Sequence, residues 1–229
     1  MKIAMVLRFV AVALLLILPL SQGQAETMFG SSKENLFWQW FQKNEAMLYS
    51  FEENPEEAFA QLSLQLAKVD ENLAFLFGPP REDGTREFIV SANGIVASFA
   101  AVEALYAAAP ALPRWTFGKF RPRLEPPEHI TLEARTLISD NISYRMYEDG
   151  EKVGILIFIE GLAEQERYLF QHIGFLFLDH ILGEYDVGTR VGFIEFLPAI
   201  DDRAAGASPL TDLAAQFDGH FEHRKKGLQ

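Results

Sequence analysis

ISYRMYEDGEKVGILIFIE, residues 142–160, reads as a β-hairpin. Its arms, Ile142 to Glu148 and Lys152 to Glu160, are filled with Tyr, Ile, Val and Phe, which suit a pleated, half-buried surface. Asp149-Gly150 between them is a tight-turn dipeptide, because both residues accept a left-handed backbone. Gly161 ends the second arm. The period then changes. From Ala163 to Leu182, apolar residues such as Leu169, Phe170, Ile173, Phe177 and Ile181 recur at helical spacing and cover most sides, which marks a central, buried helix. Gly183 suits its C-cap, and Val191 to Leu197 reads as a last strand.

The same grammar runs toward the N-terminus. Leu36, Phe37, Trp40, Phe41, Met47, Leu48 and Phe51 make an apolar stripe on a helix that begins near Lys33, capped by Ser31 or Ser32. Asn54-Pro55 stops it and starts a second helix, whose inward positions are Phe59, Leu62, Leu66 and Val69. Leu73 to Phe77 and Arg86 to Ser91 read as a second hairpin, separated by Gly78-Pro79-Pro80 and Asp83-Gly84. Ile95 to Ala109 reads as a buried helix closed by Pro110. Trp115, Phe117 and Phe120 mark a short strand that runs into a proline-limited loop, and Ile130 to Leu137 reads as one weaker strand. After Pro198 the composition shifts to Asp, Ala, Gly and Ser. Residues 201–229 are expected to form a flexible or partly helical tail, with a short helix at Leu210 to Phe217. Hairpins beside helices, without regular βαβ alternation, imply an α+β fold. The expectation is one domain over 34–200, a mainly antiparallel sheet with helices packed on it, led by a helical hairpin.

The first 25 residues carry an address. Lys2 and Arg8 form a positive n-region, Phe9 to Leu20 an apolar h-region, and Gly23 and Ala25 the small residues of a cleavage site. This is the layout of a secretory signal peptide. The apolar run is about 12 residues against about 20 for a membrane span. A cleaved signal over 1–25 and a short polar arm over 26–33 imply a periplasmic or secreted protein, with no integral membrane segment left after cleavage.

Composition narrows the function classes. The chain has no Cys, which excludes thiol catalysis, thiolate metal sites and disulfides. Losing the leader takes the formal charge from −12 to −14. Such a chain repels phosphate backbones, so nucleic acid is not an expected partner, whereas a basic protein partner fits.

Motifs that fix a reaction are missing: there is no His-Glu-x-x-His, no Gly-x-Ser-x-Gly and no phosphate-binding Gly-rich loop. No cofactor is implied. His172 and His180 read as the polar edge of a buried helix, and Asp218-x-His220-x-x-His223 as a solvated tail rather than a metal clip. Two features remain. Asp179, Glu184, Asp186 and Glu195 surround the end of the long helix and the last strand, with Arg121, Arg123 and Arg190 available to neutralise them. Pro122 holds Arg121 and Arg123 extended, so their side chains point to opposite sides. The expectation is that Arg121 and Arg123 lie close to Glu184 and Asp186, as a structural ion-pair network or as a site. Trp38 falls off the helical stripe, and so is expected to be partly exposed as a binding anchor. The tentative binding set is therefore Arg121, Arg123, Asp179, Glu184, Asp186 and Trp38.

Several segments together resemble a widespread group of uncharacterised bacterial proteins described only as a domain of unknown function. They are Phe37-Trp38-x-Trp40-Phe41 with Asn44-Glu45, Arg86-Glu87-Phe88-Ile89-Val90-Ser91-Ala92-x-Gly94, Ala109-Pro110-x-Leu112-x-x-Trp115 with Phe120-Arg121-Pro122-Arg123, and Leu178-Asp179-x-x-Leu182-Gly183-Glu184-Tyr185-Asp186-Val187. The resemblance spans residues 34–197 and implies no activity, cofactor or catalytic residue. The leading expectation is an exported binding or interaction protein, one version being an immunity or inhibitor protein that masks a basic toxin. The alternative is a periplasmic hydrolase that uses the clustered carboxylates on a small or cell-wall substrate. An enzyme calls for a concave pocket where carboxylates meet Arg121 or Arg123. A binding module calls for a flat or convex acidic patch with an aromatic anchor.

The leader makes a direct prediction. Intact-mass measurement on protein from its native source is expected to place the mature N-terminus at Glu26, and a purified species that keeps Met1 to Ala25 would overturn the export reading.

Overall fold

Two hydrophobic cores organise the chain, each built on a hairpin that is followed by a helical crossover to a parallel strand. The computed structural model describes residues 31–227. The expected signal peptide over 1–25 and residues 26–30 of the expected arm lie outside the described residues. The fold is α+β, with seven helices and three mainly antiparallel sheets.

The first core begins with α1 (Lys33–Lys43), α2 (Glu45–Tyr49) and α3 (Pro55–Ala67). The single helix expected through Phe51 breaks at Asn44, whose side-chain amide donates to the Trp40 carbonyl at 2.8 Å and competes with the helix ladder. The sheet follows as β1 (Ala74–Phe77), β2 (Arg86–Ser91), α4 (Phe99–Ala107) and β3 (Trp115–Lys119). β1 pairs antiparallel with β2, while β3 pairs parallel with β2 and so needs α4 as its crossover. Phe37, Phe41, Phe88 and Trp115 fill the space between helices and sheet. Phe41 meets Trp115 edge-on at 5.0 Å, a geometry that suits the ring quadrupoles.

A small hairpin, β4 (His129–Leu132) with β5 (Arg135–Ile138), stands where one weak strand was expected. The chain reverses at Glu133, whose φ of 52° is left-handed, a conformation that a Glu does not advertise in sequence. The deciding hairpin then forms as β6 (Ile142–Asp149) and β7 (Lys152–Ile159), paired antiparallel. α5 (Arg167–Leu182) and α6 (Glu184–Arg190) carry the chain to β8 (Val191–Pro198), parallel to β7. Phe170, Ile173, Phe177 and Ile181 of α5 lie in the second core against Ile155 and Ile157 of β7. Contact is close at Gly174, where a Cβ would lie 2.1 Å from the buried Phe196 ring.

The C-terminal stretch carries the expected helix, but longer and packed into the core where a partly flexible tail was expected. β9 (Ser208–Pro209) joins the edge of β6, and α7 (Leu213–Gly227) is a full helix. Leu210, Leu213 and Phe217 are wholly buried in the second core. The helical spacing is visible in the sequence; that Leu210, Leu213 and Phe217 enter the second core is not, because the run after Pro198 is mostly polar. Among the described residues, no helix is long and apolar enough to cross a membrane.

Core membership sets the expected stabilities. Phe177→Ala and Phe217→Ala should each cost about 3–5 kcal/mol, and Gly174→Ala about 1–3 kcal/mol through overpacking against Phe196. Urea unfolding checks all three. A Phe217→Ala midpoint equal to the wild type would return residues 208–221 to the status of a tail.

Candidate functional site

Parallel pairing sets Val90 of β2 opposite Lys119 of β3, so the loops after both strands leave the same end of the first sheet. One loop is Ala92-Asn93-Gly94, with left-handed φ of 53° at Asn93 and 78° at Gly94. The other begins at Phe120, φ 60°, and continues as Arg121-Pro122-Arg123-Leu124. Both loops close on the junction of α5 and α6 from the second core.

Glu184 is the centre of that junction. It is 1% exposed. Its Oε1 accepts from the backbone N–H of Ala92 at 2.9 Å and of Gly94 at 3.0 Å. Its Oε2 accepts from the Arg121 backbone N–H at 3.0 Å. The Glu184 N–H in turn donates to the Arg121 carbonyl at 3.0 Å. The carbonyls at the end of α5 find partners in the same loop: Leu124 N–H donates to His180 O at 2.7 Å, and Arg123 Nε to Leu182 O at 2.8 Å. Gly183 between the helices has φ 77°, and a Cβ there would press on the Arg121 and Arg123 backbone at 3.2–3.3 Å. Gly183 ends α5, yet the chain does not leave the core there. It stays inside because three loop N–H donors converge on Glu184.

The two arginines diverge, as Pro122 suggested. Arg121 donates from Nη1 to Asp179 Oδ2 at 2.8 Å, from Nη2 to Asn93 Oδ1 at 2.6 Å and from Nε to Ser91 Oγ at 3.2 Å. Arg123 reaches the other way, to Asp186 at 2.5 Å and to both oxygens of Asp218 at 2.9 Å. Asp186 also holds Arg190 at 3.1 Å. The expected proximity of Arg121 and Arg123 to Glu184 and Asp186 is therefore observed, but the guanidinium of Arg121 pairs with Asp179. Glu184 is too deeply enclosed for a guanidinium and takes backbone donors instead. Burial pushes the Asp179 carboxyl above the ordinary aspartate range; the Arg121 charge opposes this and the Glu184 charge adds to it.

Trp38 does not belong to this group. It is buried in the first core, its Nε1 donates to Leu105 O at 2.8 Å, and its ring meets Phe117 at 4.6 Å. Its place off the stripe reflects a second contact face of α1, turned to α4, rather than exposure. Sequence reading missed Ser91, Asn93 and Asp218 as partners. Asn93-Gly94 was visible only as a strand stop, and Asp218 only beside His220 and His223. Among the described residues, no cluster of three or more His, Asp or Glu side chains fits a metal ion.

Open space flanks the Arg121–Asp179 pair. A hollow of about 580 Å³ is lined by Asn93, Gly94, Ile95, Arg121, Leu132, His172, Phe175, Leu176, Asp179 and Val187. A second, of about 340 Å³, shares Asn93, Arg121, Leu176 and Asp179 and continues to Leu76 and Leu124. The shared residues make the ion pair a floor common to both. Small-molecule sites have this size and this mixture of apolar wall and a few convergent polar groups. In comparisons with known proteins, no family model, curated protein or solved structure matches the chain. Function is therefore argued from this geometry.

The two carboxylates should separate in stability measurements. Glu184→Gln turns an amide toward the Arg121 N–H and is expected to cost about 1–3 kcal/mol, whereas Asp179→Asn stays within about 1 kcal/mol of wild type. Because folding raises the Asp179 pKa, the folded state keeps its proton to higher pH than the unfolded chain. Its contribution to stability thus falls as pH rises from the ordinary aspartate value to the raised one. The difference in urea midpoint between wild type and Asp179→Asn should shift against the wild type across that interval. A difference that is flat with pH would show that burial does not perturb Asp179.

Proposed function

We propose that this protein is an exported binding protein that holds a small ligand in the larger hollow beside Arg121 and Asp179. The observation that carries this reading is the lining of that hollow: one guanidinium, one carboxylate, one amide and the imidazole of His172 set in an otherwise largely apolar wall. Ligand sites combine shape and hydrophobic area with a few oriented polar groups. Here the orientation is fixed by Ser91 and Asn93 on one side and by the buried helix α5 on the other.

The hydrolase alternative fits less well. Acid–base cleavage by paired carboxylates needs two of them facing each other across the substrate. The larger hollow is lined by one, Asp179. In a third hollow of about 360 Å³, Glu103 and Asp186 meet Arg121 and Arg123, but both carboxylates are held in ion pairs, Glu103 by Lys119 and Asp186 by Arg123 and Arg190. Glu184 is sealed by backbone donors. The immunity or inhibitor version, with a basic protein partner, loses its aromatic anchor, since Trp38 is buried. The acidic charge is consistent with it but selects no surface.

Native mass spectrometry of protein purified from its own compartment tests the reading. The wild type is expected to carry a small molecule that is lost in Ile95→Trp, a variant that fills the mouth of the hollow from an exposed position. Retention of the same molecule by Ile95→Trp, or its conversion to product on incubation, would overturn it.

A further inference from the structure

The floor of the larger hollow carries both signs of charge side by side. Arg121 Nη1 and Asp179 Oδ2 are 2.8 Å apart, with side chains 20% and 15% exposed. Neither group is saturated. A guanidinium has five N–H donors, and Arg121 commits three, to Ser91, Asp179 and Asn93. Two remain. Asp179 accepts the arginine through Oδ2, and among the described residues no donor takes its Oδ1. Asn93 accepts from Arg121 through its carbonyl oxygen, and among the described residues no acceptor takes its amide N–H groups. Its backbone is left-handed, φ 53°, a conformation that Asn adopts more readily than most side-chain-bearing residues. Above this floor the wall is mainly apolar, with Ile95, Leu132, Phe175, Leu176 and Val187, and carries one further polar ring, the imidazole of His172. Ile95 and Phe175 are 44% and 43% exposed, which is surplus apolar surface at the opening.

These groups constrain what can sit there. A plain anion on Arg121 meets the Asp179 carboxylate beside it. A plain cation on Asp179 meets the guanidinium. A wholly apolar ligand strips water from an ion pair and returns no hydrogen bond. A ligand that carries both charges about one bond angle apart, with an apolar group attached, satisfies all three demands. We infer that the larger hollow is a site for a small zwitterion, an α-amino acid with an apolar side chain, its carboxylate on Arg121 and Asn93 and its ammonium on Asp179. The side chain lies along Ile95, Phe175 and Leu176. The inference rests on the proposed binding function and names its ligand class.

Burial of Asp179 is consistent with this arrangement. A carboxylate held above its ordinary pKa by desolvation gains from an ammonium that arrives against it. The free protein meets part of that demand with Arg121, and the ligand completes it without moving a core element.

Isothermal titration of the purified mature protein tests the ligand class with a defined series: L-leucine, L-phenylalanine, glycine, 4-methylpentanoate and 3-methylbutylamine. Leucine or phenylalanine is expected to bind saturably at one site. Removal of the ammonium or of the carboxylate should each weaken binding about 10-fold or more, the size of one lost charge-assisted hydrogen bond. Glycine, without the apolar group, should weaken it by a similar factor. Asp179→Asn is the variant of choice, because it keeps the shape and an acceptor for Arg121. It should bring leucine and 4-methylpentanoate to equal affinity. Equal affinity of these two for the wild type, or unchanged leucine binding by Asp179→Asn, would overturn the zwitterion while leaving a binding hollow. Absence of heat with both leucine and phenylalanine would also overturn it. A native ligand that Ile95→Trp loses would then still support the wider binding function.

Discussion

The carboxylate of Glu184 is the interaction on which the rest of the arrangement depends. It is buried without a cation in direct contact, which in isolation is costly. Three backbone N–H groups replace the lost water, from Ala92, Gly94 and Arg121. Those donors come from two loops of the first core, and the acceptor comes from the second. The donors are themselves available because both loops turn through left-handed residues, Asn93, Gly94 and Phe120, which aim N–H groups inward. Such a nest of main-chain donors attracts an anion. In this protein the anion is built into the chain.

That constraint explains how two separate cores make one site. Each core repeats the order hairpin, helical crossover, parallel strand, and each buries its own apolar face. The seam between them combines polar contacts around Glu184 with a small aromatic group, in which Tyr185 meets Phe120 at 5.1 Å and Phe99 at 5.9 Å. Gly188 lets α6 approach, since a Cβ there would strike Phe99 at 2.6 Å. The larger hollow opens beyond these contacts, on the side of Ile95, Leu132 and Phe175. The hollow is where the closure ends.

Much of the scaffold is legible in the sequence, because period and turn chemistry are local properties. Asp149-Gly150 marks its hairpin, and the apolar spacing of Phe170, Ile173, Phe177 and Ile181 marks α5. The expected proximity of Arg121 and Arg123 to Glu184 and Asp186 is also met, whereas the pairing of the Arg121 guanidinium with Asp179 was not part of that expectation. What is not legible depends on long-range geometry. That Glu184 would take main-chain donors rather than a guanidinium requires knowing which loops face it. That Asp218 would reach Arg123 requires knowing that α7 folds back, and the polar residues around Leu213 and Phe217 hide this. Trp38 misleads for the opposite reason: its local position is off one stripe, but α1 has two contact faces, and the second is visible only once α4 is packed against it.

Latch and hollow use the same few residues through different atoms. Arg121 gives its backbone N–H to Glu184 and its guanidinium to the hollow. Around Asn93, the flanking Ala92 and Gly94 bind Glu184 through the main chain while the Asn93 side chain turns to Arg121. On the opposing element, Asp179 and Glu184 lie at either end of the turn at Gly183. A ligand that met Arg121, Asn93 and Asp179 would thus touch side chains whose backbones are already fixed by a buried carboxylate. Ordering costs on binding are small when the contacting groups are held in place beforehand. The contacts that close the seam between the cores also set the polar floor of the hollow, so in the proposed binding role the buried Glu184 would position that floor without being accessible to a ligand.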